Sequence, residues 1–299
     1  MPEASLFSDR LVAAIDRVGS PACVGLDPVV EKLPAAIRRK DIGLAEMIGL
    51  FCDGVIEAVA PHVPAVKLQS ACFERYAAAG ARVLRNLVRA ARERELVVIL
   101  DAKRGDIGVT AEHYAHAAFG GAEGKQPPTA DAITLSGYMG ADTIEPFLRP
   151  GGGRGVFVLV RTSNPGSDSI QAQRLADGRT VAELMADQVA TLGASRVGTA
   201  GLSDVGAVVG ATKAAEAAAL RARMPNQFFL VPGYGAQGGT AEDVREMVRP
   251  RAASPGSAGV LVNASRSVIY AFDAADKNWA ASIARAALAF ADDLRRVVK

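Results

Sequence analysis

"LVVILDAKRGDIGVT" (residues 96–110) runs an unbroken apolar stretch straight into a dense set of charges, with no loop between them. A short run rich in Val and Ile reads as a strand buried on both faces, the kind found in parallel sheets. Asp101, Lys103 and Asp106 therefore begin at the C-terminal edge of that strand, before the chain can have left it. Burying charges costs several kcal/mol each unless they compensate one another. The cluster is either an internal ion-pair network or an apparatus for handling charge on a ligand.

The same alternation repeats on both sides of this segment. Strand candidates are 21–27, 65–69, 96–104, 132–136, 155–162, 205–211, 228–235 and 259–266. Ala/Arg/Glu-rich stretches of helical period lie between them, for example at 44–60, 70–95, 179–195, 212–223, 240–249 and 279–296. Eight strands, each followed by a helix, predict a (β/α)8 barrel, an α/β fold, rather than an open doubly wound sheet. Such a barrel takes about 250 residues, leaving roughly 50 for insertions. Two polar loops, 120–131 and 164–178, absorb part of these. No linker divides the chain, so residues 1–299 are expected to form one domain.

Composition narrows the function classes. Basic and acidic residues number 34 and 32, and the basic ones are scattered apart from 82–95, which carries its own acids. That stretch reads as a solvated helix face rather than a nucleic-acid patch. No apolar run approaches the roughly 20 residues that span a bilayer, and the charged start "MPEASLFSDR" lacks a signal-peptide apolar region. Cys23, Cys52 and Cys72 form no CxxC pair, so neither a disulfide framework nor a zinc site is indicated. A cytoplasmic protein with reduced thiols is expected. His113 and His116 stand three apart on a predicted helix without a third ligand nearby, and with His62 they take ordinary roles. There is no GxGxxG after the first strand and no GxxxxGK[ST], so nucleotide cofactors are not indicated.

A barrel places functional residues at the C-terminal ends of its strands. Asp27, Lys67, Asp101, Lys103, Asp106, Ser163, Gln237 and Arg266 all fall there. Side chains two apart in a strand share a face, so Asp101 and Lys103 point together into the barrel mouth, with Lys67 beside them on the neighbouring strand. A lysine flanked by carboxylates keeps its proton. That disfavours Schiff-base chemistry, which needs the free amine, and favours proton donation to a carbanion. "VPGYGAQGGT" (231–240) is a glycine-rich turn running into a helix predicted to start near Thr240. Backbone N–H groups and the helix terminus would suit an anion there, and Arg266 adds a planar fork for phosphate oxygens.

The segment "LDAKRGDIGVT" (100–110) resembles the signature of the orotidine 5'-phosphate decarboxylase family, an Asp-x-Lys-x-x-Asp core followed by Ile and, three positions later, Thr. "GLDP" (25–28), "VKLQ" (66–69), "TSNPG" (162–166), "VPGYGAQGG" (231–239) and "SRSVIY" (265–270) resemble further family motifs, in the family's order, over about 240 residues. "DAKRGDIG" and "TSNPG" are similar to the longer bacterial branch. Two departures stand out: Gly108 follows Asp-Ile where proline is frequent, and "NASR" replaces a glycine-arginine pair.

The resemblance implies a homodimer that decarboxylates orotidine 5'-phosphate without metal or organic cofactor. It implies Lys103 as proton donor to C6 of the pyrimidine, within a charge array completed by Asp101 and Lys67. Asp106 and Thr110 would act across the dimer interface. Asp27 and Lys67 would contact ribose hydroxyls, Ser163 the pyrimidine edge, and Gln237 and Arg266 the 5'-phosphate. The rivals are a metal-dependent sugar-phosphate decarboxylase or lyase on the same barrel, and a non-catalytic barrel that binds a phosphate ligand.

Overall fold

Eight short strands rich in Val, Leu and Phe pair in parallel, each with its sequence neighbours, and β1 closes on β8. They are β1 Ala22–Leu26, β2 Ala65–Gln69, β3 Val97–Arg104, β4 Ala132–Leu135, β5 Gly155–Arg161, β6 Ser203–Val209, β7 Gln227–Val231 and β8 Val260–Ala264. The structure, a computed structural model, describes residues 5–38, 41–120, 130–149 and 153–298. A helix follows every strand, from Leu44–Val59 after β1 to Trp279–Arg295 after β8, as the (β/α)8 expectation requires.

Strand alternation divides the apolar residues into two sets. Outward ones such as Val24, Val66, Val98 and Val156 pack under the helices. Inward ones such as Cys23, Ala65, Ile99, Phe157, Phe228 and Leu261 fill the barrel. A helix that the sequence reading did not single out, Phe7–Val18, completes the interior set with Phe7, Leu11, Ala14 and Ile15. Phe7 meets Phe157 edge-on at 5.9 Å between ring centroids. Each fully buried side chain of this kind contributes roughly 1.5–3 kcal/mol. The filled lower barrel leaves the strands' C-terminal ends as the open face.

Several boundaries differ from expectation, each for a local reason. The helix over 70–95 breaks into Ala71–Glu74 and Ala77–Glu93, with Ala77 at φ 49° at the break. β7 stops at Val231 rather than 235, because Pro232 follows and Gly233 and Gly235 take positive φ. The helix over 240–249 shortens to Ala241–Arg245. The stretch 164–178 is not a plain loop: it holds a turn at Pro165–Ser167, the helical turn Asp168–Gln171 and a bridge between Arg174 and Thr180. Most of the other expected loop, 121–129, lies outside the described residues.

Candidate active site

β2 and β3 run in register with Gln69 opposite Asp101, which brings Lys67 alongside β3. The ladder from β3 to β4 then slips: Leu100 faces Ile133 and Arg104 faces Leu135, so Asp101, Ala102 and Lys103 together stand opposite Thr134. Lys103 accommodates the extra chain by taking φ 47°. That left-handed conformation is uncommon for a residue with a side chain and costs of order 1–3 kcal/mol. Bulges of this kind re-aim side chains at barrel rims.

The result is one carboxylate shared by two ammonium groups. Lys67 Nζ donates to Asp101 Oδ2 at 2.6 Å, and Lys103 Nζ donates to Asp101 Oδ1, also at 2.6 Å. The Thr134 hydroxyl donates to Asp101 Oδ1 at 2.9 Å and accepts from the Lys103 backbone N–H at 3.0 Å. Burial opposes ionisation of Asp101, but Lys67 and Lys103 outweigh it and hold the carboxyl down at about 2. Burial likewise disfavours the Lys67 ammonium, yet Asp27 and Asp101 raise its pKa above the ordinary value. Both charges of the Lys67–Asp101 pair therefore persist at neutral pH.

These groups line a cavity of about 640 Å³ at the barrel mouth, together with Asp27, Ser163, Gln237 and Arg266. Seven predicted residues thus converge on one space. Asp27 Oδ1 lies 3.8 Å from Lys67 Nζ. It is buried without a hydrogen-bond donor among the described residues, as is Asn263 Oδ1 on β8. The Asn263 amide donates to Ser265 Oγ at 3.3 Å. Ser265 also explains Gly25: a Cβ there would stand 2.0 Å from Ser265 Oγ. Asp106 and Thr110 do not line the cavity of their own chain. Asp106 Oδ1 accepts from the Ile107 N–H at 2.9 Å, and Thr110 is exposed on the helix Gly108–Phe119. Gly108 opens that helix at φ 50°, a conformation that proline's ring forbids.

The glycine-rich turn behaves differently from expectation. The N–H groups of Gly235, Gly238 and Gly239 bond to Gly239, Gly235 and Gly233 carbonyls, folding the turn upon itself. The predicted helix terminus is closed by its own capping box, in which Asp243 accepts from Thr240 and Thr240 from Asp243. That terminus is thus engaged with a carboxylate of its own, and the turn reaches the cavity through Gly233, Tyr234, Ala236 and Gln237. Arg266 does not end β8 but opens the helical turn Arg266–Ile269, exposed at the cavity rim.

Three residues were not anticipated. Thr134 and Asn263 sit on strand ends whose polar character looked incidental. Arg161 is buried at the end of β5, where it donates to Glu216, Asp168 and Ser167 at 2.5–3.0 Å. It ties the segment Pro165–Gln171 to the barrel beside Ser163. Its signal was an arginine closing the apolar run "VFVLVR" (156–161).

A parallel barrel whose mouth holds a buried lysine–carboxylate pair, with a second, half-exposed lysine on the same carboxylate, has the features of a barrel enzyme that handles an anionic ligand. A family model described as "Orotidine 5'-phosphate decarboxylase / HUMPS family" matches residues 22–278, and the chain belongs to that family. A relative from Rhodopirellula baltica named orotidine 5'-phosphate decarboxylase is 42% identical, with 97% of this chain and 99% of the relative covered. One of the same name from Roseiflexus castenholzii is 40% identical, with 98% of each covered. The solved structure of Leishmania donovani OMP decarboxylase superposes with TM-score 0.75 at 32% identity, covering 98% of both chains.

Proposed function

We propose that this protein is a carboxy-lyase that converts orotidine 5'-phosphate to UMP, the last step of de novo pyrimidine biosynthesis. The observation that carries the reading is the Lys67–Asp101–Lys103 array inside the barrel mouth, on a chain whose relatives bear that enzyme's name. Loss of CO2 from C6 leaves a carbanion with little resonance delocalisation. A fixed ammonium at C6 stabilises that charge without solvent reorganisation and then supplies the proton. Lys103 fills this role, and Asp101 keeps it aimed. The Asp27 oxygen that has no donor among the described residues suits a ribose hydroxyl, with Lys67 beside it. Ser163 meets the pyrimidine edge, while Gln237 and Arg266 take the 5'-phosphate. The phosphate lies away from the reacting carbon, so its binding energy orients the ring.

Arg266→Ala removes a forked charge-assisted contact, so KM for the phosphorylated substrate rises roughly 10–100-fold. Steady-state kinetics check this; an unchanged KM contradicts the phosphate assignment.

We place the enzyme in the cytoplasm, with the whole chain acting as one domain; its three cysteines are free thiols. No described helix is long and apolar enough to cross a membrane. We further propose a homodimer in which Asp106 and Thr110 complete the partner's site. Ile107 and Val109 stand between the two in the chain at 62% and 66% exposure, and Tyr138 at 84% and Met139, which approaches Gly105, are exposed as well, an apolar surface suited to burial against a second copy. Mixing Lys103→Ala with Asp106→Ala protein then rebuilds one intact site per mixed dimer and recovers about a quarter of wild-type activity. No recovery after verified subunit exchange contradicts the shared site.

The metal-dependent rival requires carboxylates free to coordinate a cation. Here both Asp101 oxygens are engaged by lysines, and no group of three or more metal-ligating side chains is found among the described residues. A spectrophotometric assay of orotidine 5'-phosphate conversion with and without chelator tests the proposal: equal rates are expected, and chelator-sensitive turnover favours the rival.

A further inference from the structure

Three residues of β3 share one partner residue on β4, and that partner is a threonine whose hydroxyl bonds to both ends of the excess segment. We propose that Thr134 is the positioning residue for Lys103: its hydroxyl fixes both the backbone of the lysine and the carboxylate that aims the lysine's ammonium. The inference rests on the reading in which Lys103 protonates C6.

The direction of each bond follows from chemistry. A backbone N–H can only donate, so the Lys103 N–H uses a lone pair of Thr134 Oγ1, at 3.0 Å. The hydroxyl has one proton, and it points to Asp101 Oδ1 at 2.9 Å. That same oxygen accepts from Lys103 Nζ at 2.6 Å. The links close a ring that runs from the Lys103 backbone through the hydroxyl and the carboxylate to the Lys103 ammonium. Thr134 is 1% exposed, and its branched Cβ restricts χ1, so the ring is held from within the sheet.

Without that hydroxyl, the left-handed conformation of Lys103 loses the one side-chain hydrogen bond to its backbone N–H found among the described residues. Asp101 Oδ1 would keep the ammonium but lose one of the donors that fix the carboxylate's rotation about the Cβ–Cγ bond. The lysine would remain near the site, yet no longer be held at one point. Such a fault reduces the chemical step more than binding, because the ribose and phosphate contacts, Lys67 on β2 apart, follow the ends of β1, β7 and β8.

The test compares Thr134→Val, which keeps shape and removes the hydroxyl, with Thr134→Ser, which keeps the hydroxyl, using Lys103→Ala as reference. Expected are a fall in kcat of about 10–100-fold for Thr134→Val with KM within about twofold, and recovery to within about threefold of wild type in Thr134→Ser. Wild-type kcat in Thr134→Val beside an inactive Lys103→Ala overturns the role of Thr134 and leaves that of Lys103 standing. Activity in Lys103→Ala overturns the reading beneath both. A Thr134→Val enzyme that loses kcat and binding together, with no rescue by serine, shows a structural role only and overturns the proposal. Should the valine variant fail to fold, Thr134→Ala against Thr134→Ser makes the same comparison, and equal kcat in the two overturns it.

Discussion

Lys103→Ala lowers kcat for orotidine 5'-phosphate by about 10⁴-fold or more, while the nucleotide site stays formed. A positioned general acid contributes about 10²–10⁴, and a charge aimed at the developing carbanion contributes a further 10²–10³ or so. Both are lost at once with this side chain. Its side chain is about half exposed at the cavity, so truncation leaves little buried volume to collapse, and Asp101 keeps Lys67 as a partner. Single-turnover kinetics together with calorimetric titration of UMP separate the two effects. Near-normal turnover would remove the proton-donor role.

Asp101→Asn has the second large effect, and it acts on fold and chemistry together. Lys67 and Asp101 are buried at 5% and 7% exposure, and breaking a buried pair by neutralising one partner costs about 3–5 kcal/mol. The sign of the pH dependence follows from the depressed pKa. The Asp101 carboxyl falls from 3.8 to about 2 on folding, so the ionised form stabilises the native state above pH 4 or so. This contribution, about 2 kcal/mol, is lost as pH falls from about 4 through about 2. Denaturant unfolding at pH 7 is expected to show the full gap between wild type and Asp101→Asn, narrowing below about pH 4. A gap that does not change with pH contradicts the linkage. Turnover of the variant falls with it, because the neutral amide offers one uncharged acceptor to two ammonium groups and so aims Lys103 less firmly.

The barrel was legible because its signal is periodic and local. Eight apolar runs separated by helical stretches fixed topology, and the rule that barrel sites sit at strand C-termini then gathered Asp27, Lys67, Asp101, Lys103, Ser163, Gln237 and Arg266 around one cavity. What stayed hidden depends on register and on contacts between distant segments. Thr134 reads as one more β-branched strand residue until the slip of β3 places three residues opposite it. The inward lining by Phe7–Val18 depends on a helix packing against strands far along the chain. The glycine-rich turn suggested a phosphate cradle from composition alone, but the N–H groups of Gly235, Ala236, Gly238 and Gly239 bond to carbonyls within the turn. Composition showed where the chain could turn; only the hydrogen bonds showed which groups were left for a ligand.

The most direct measurement incubates the purified protein with orotidine 5'-phosphate in D2O containing chelator and follows the product by proton NMR. The account predicts UMP carrying a single deuterium at C6, with the C5 proton retained and CO2 released in equal amount. Recovery of unchanged orotidine 5'-phosphate, or turnover that begins only when a divalent cation is restored, would contradict it.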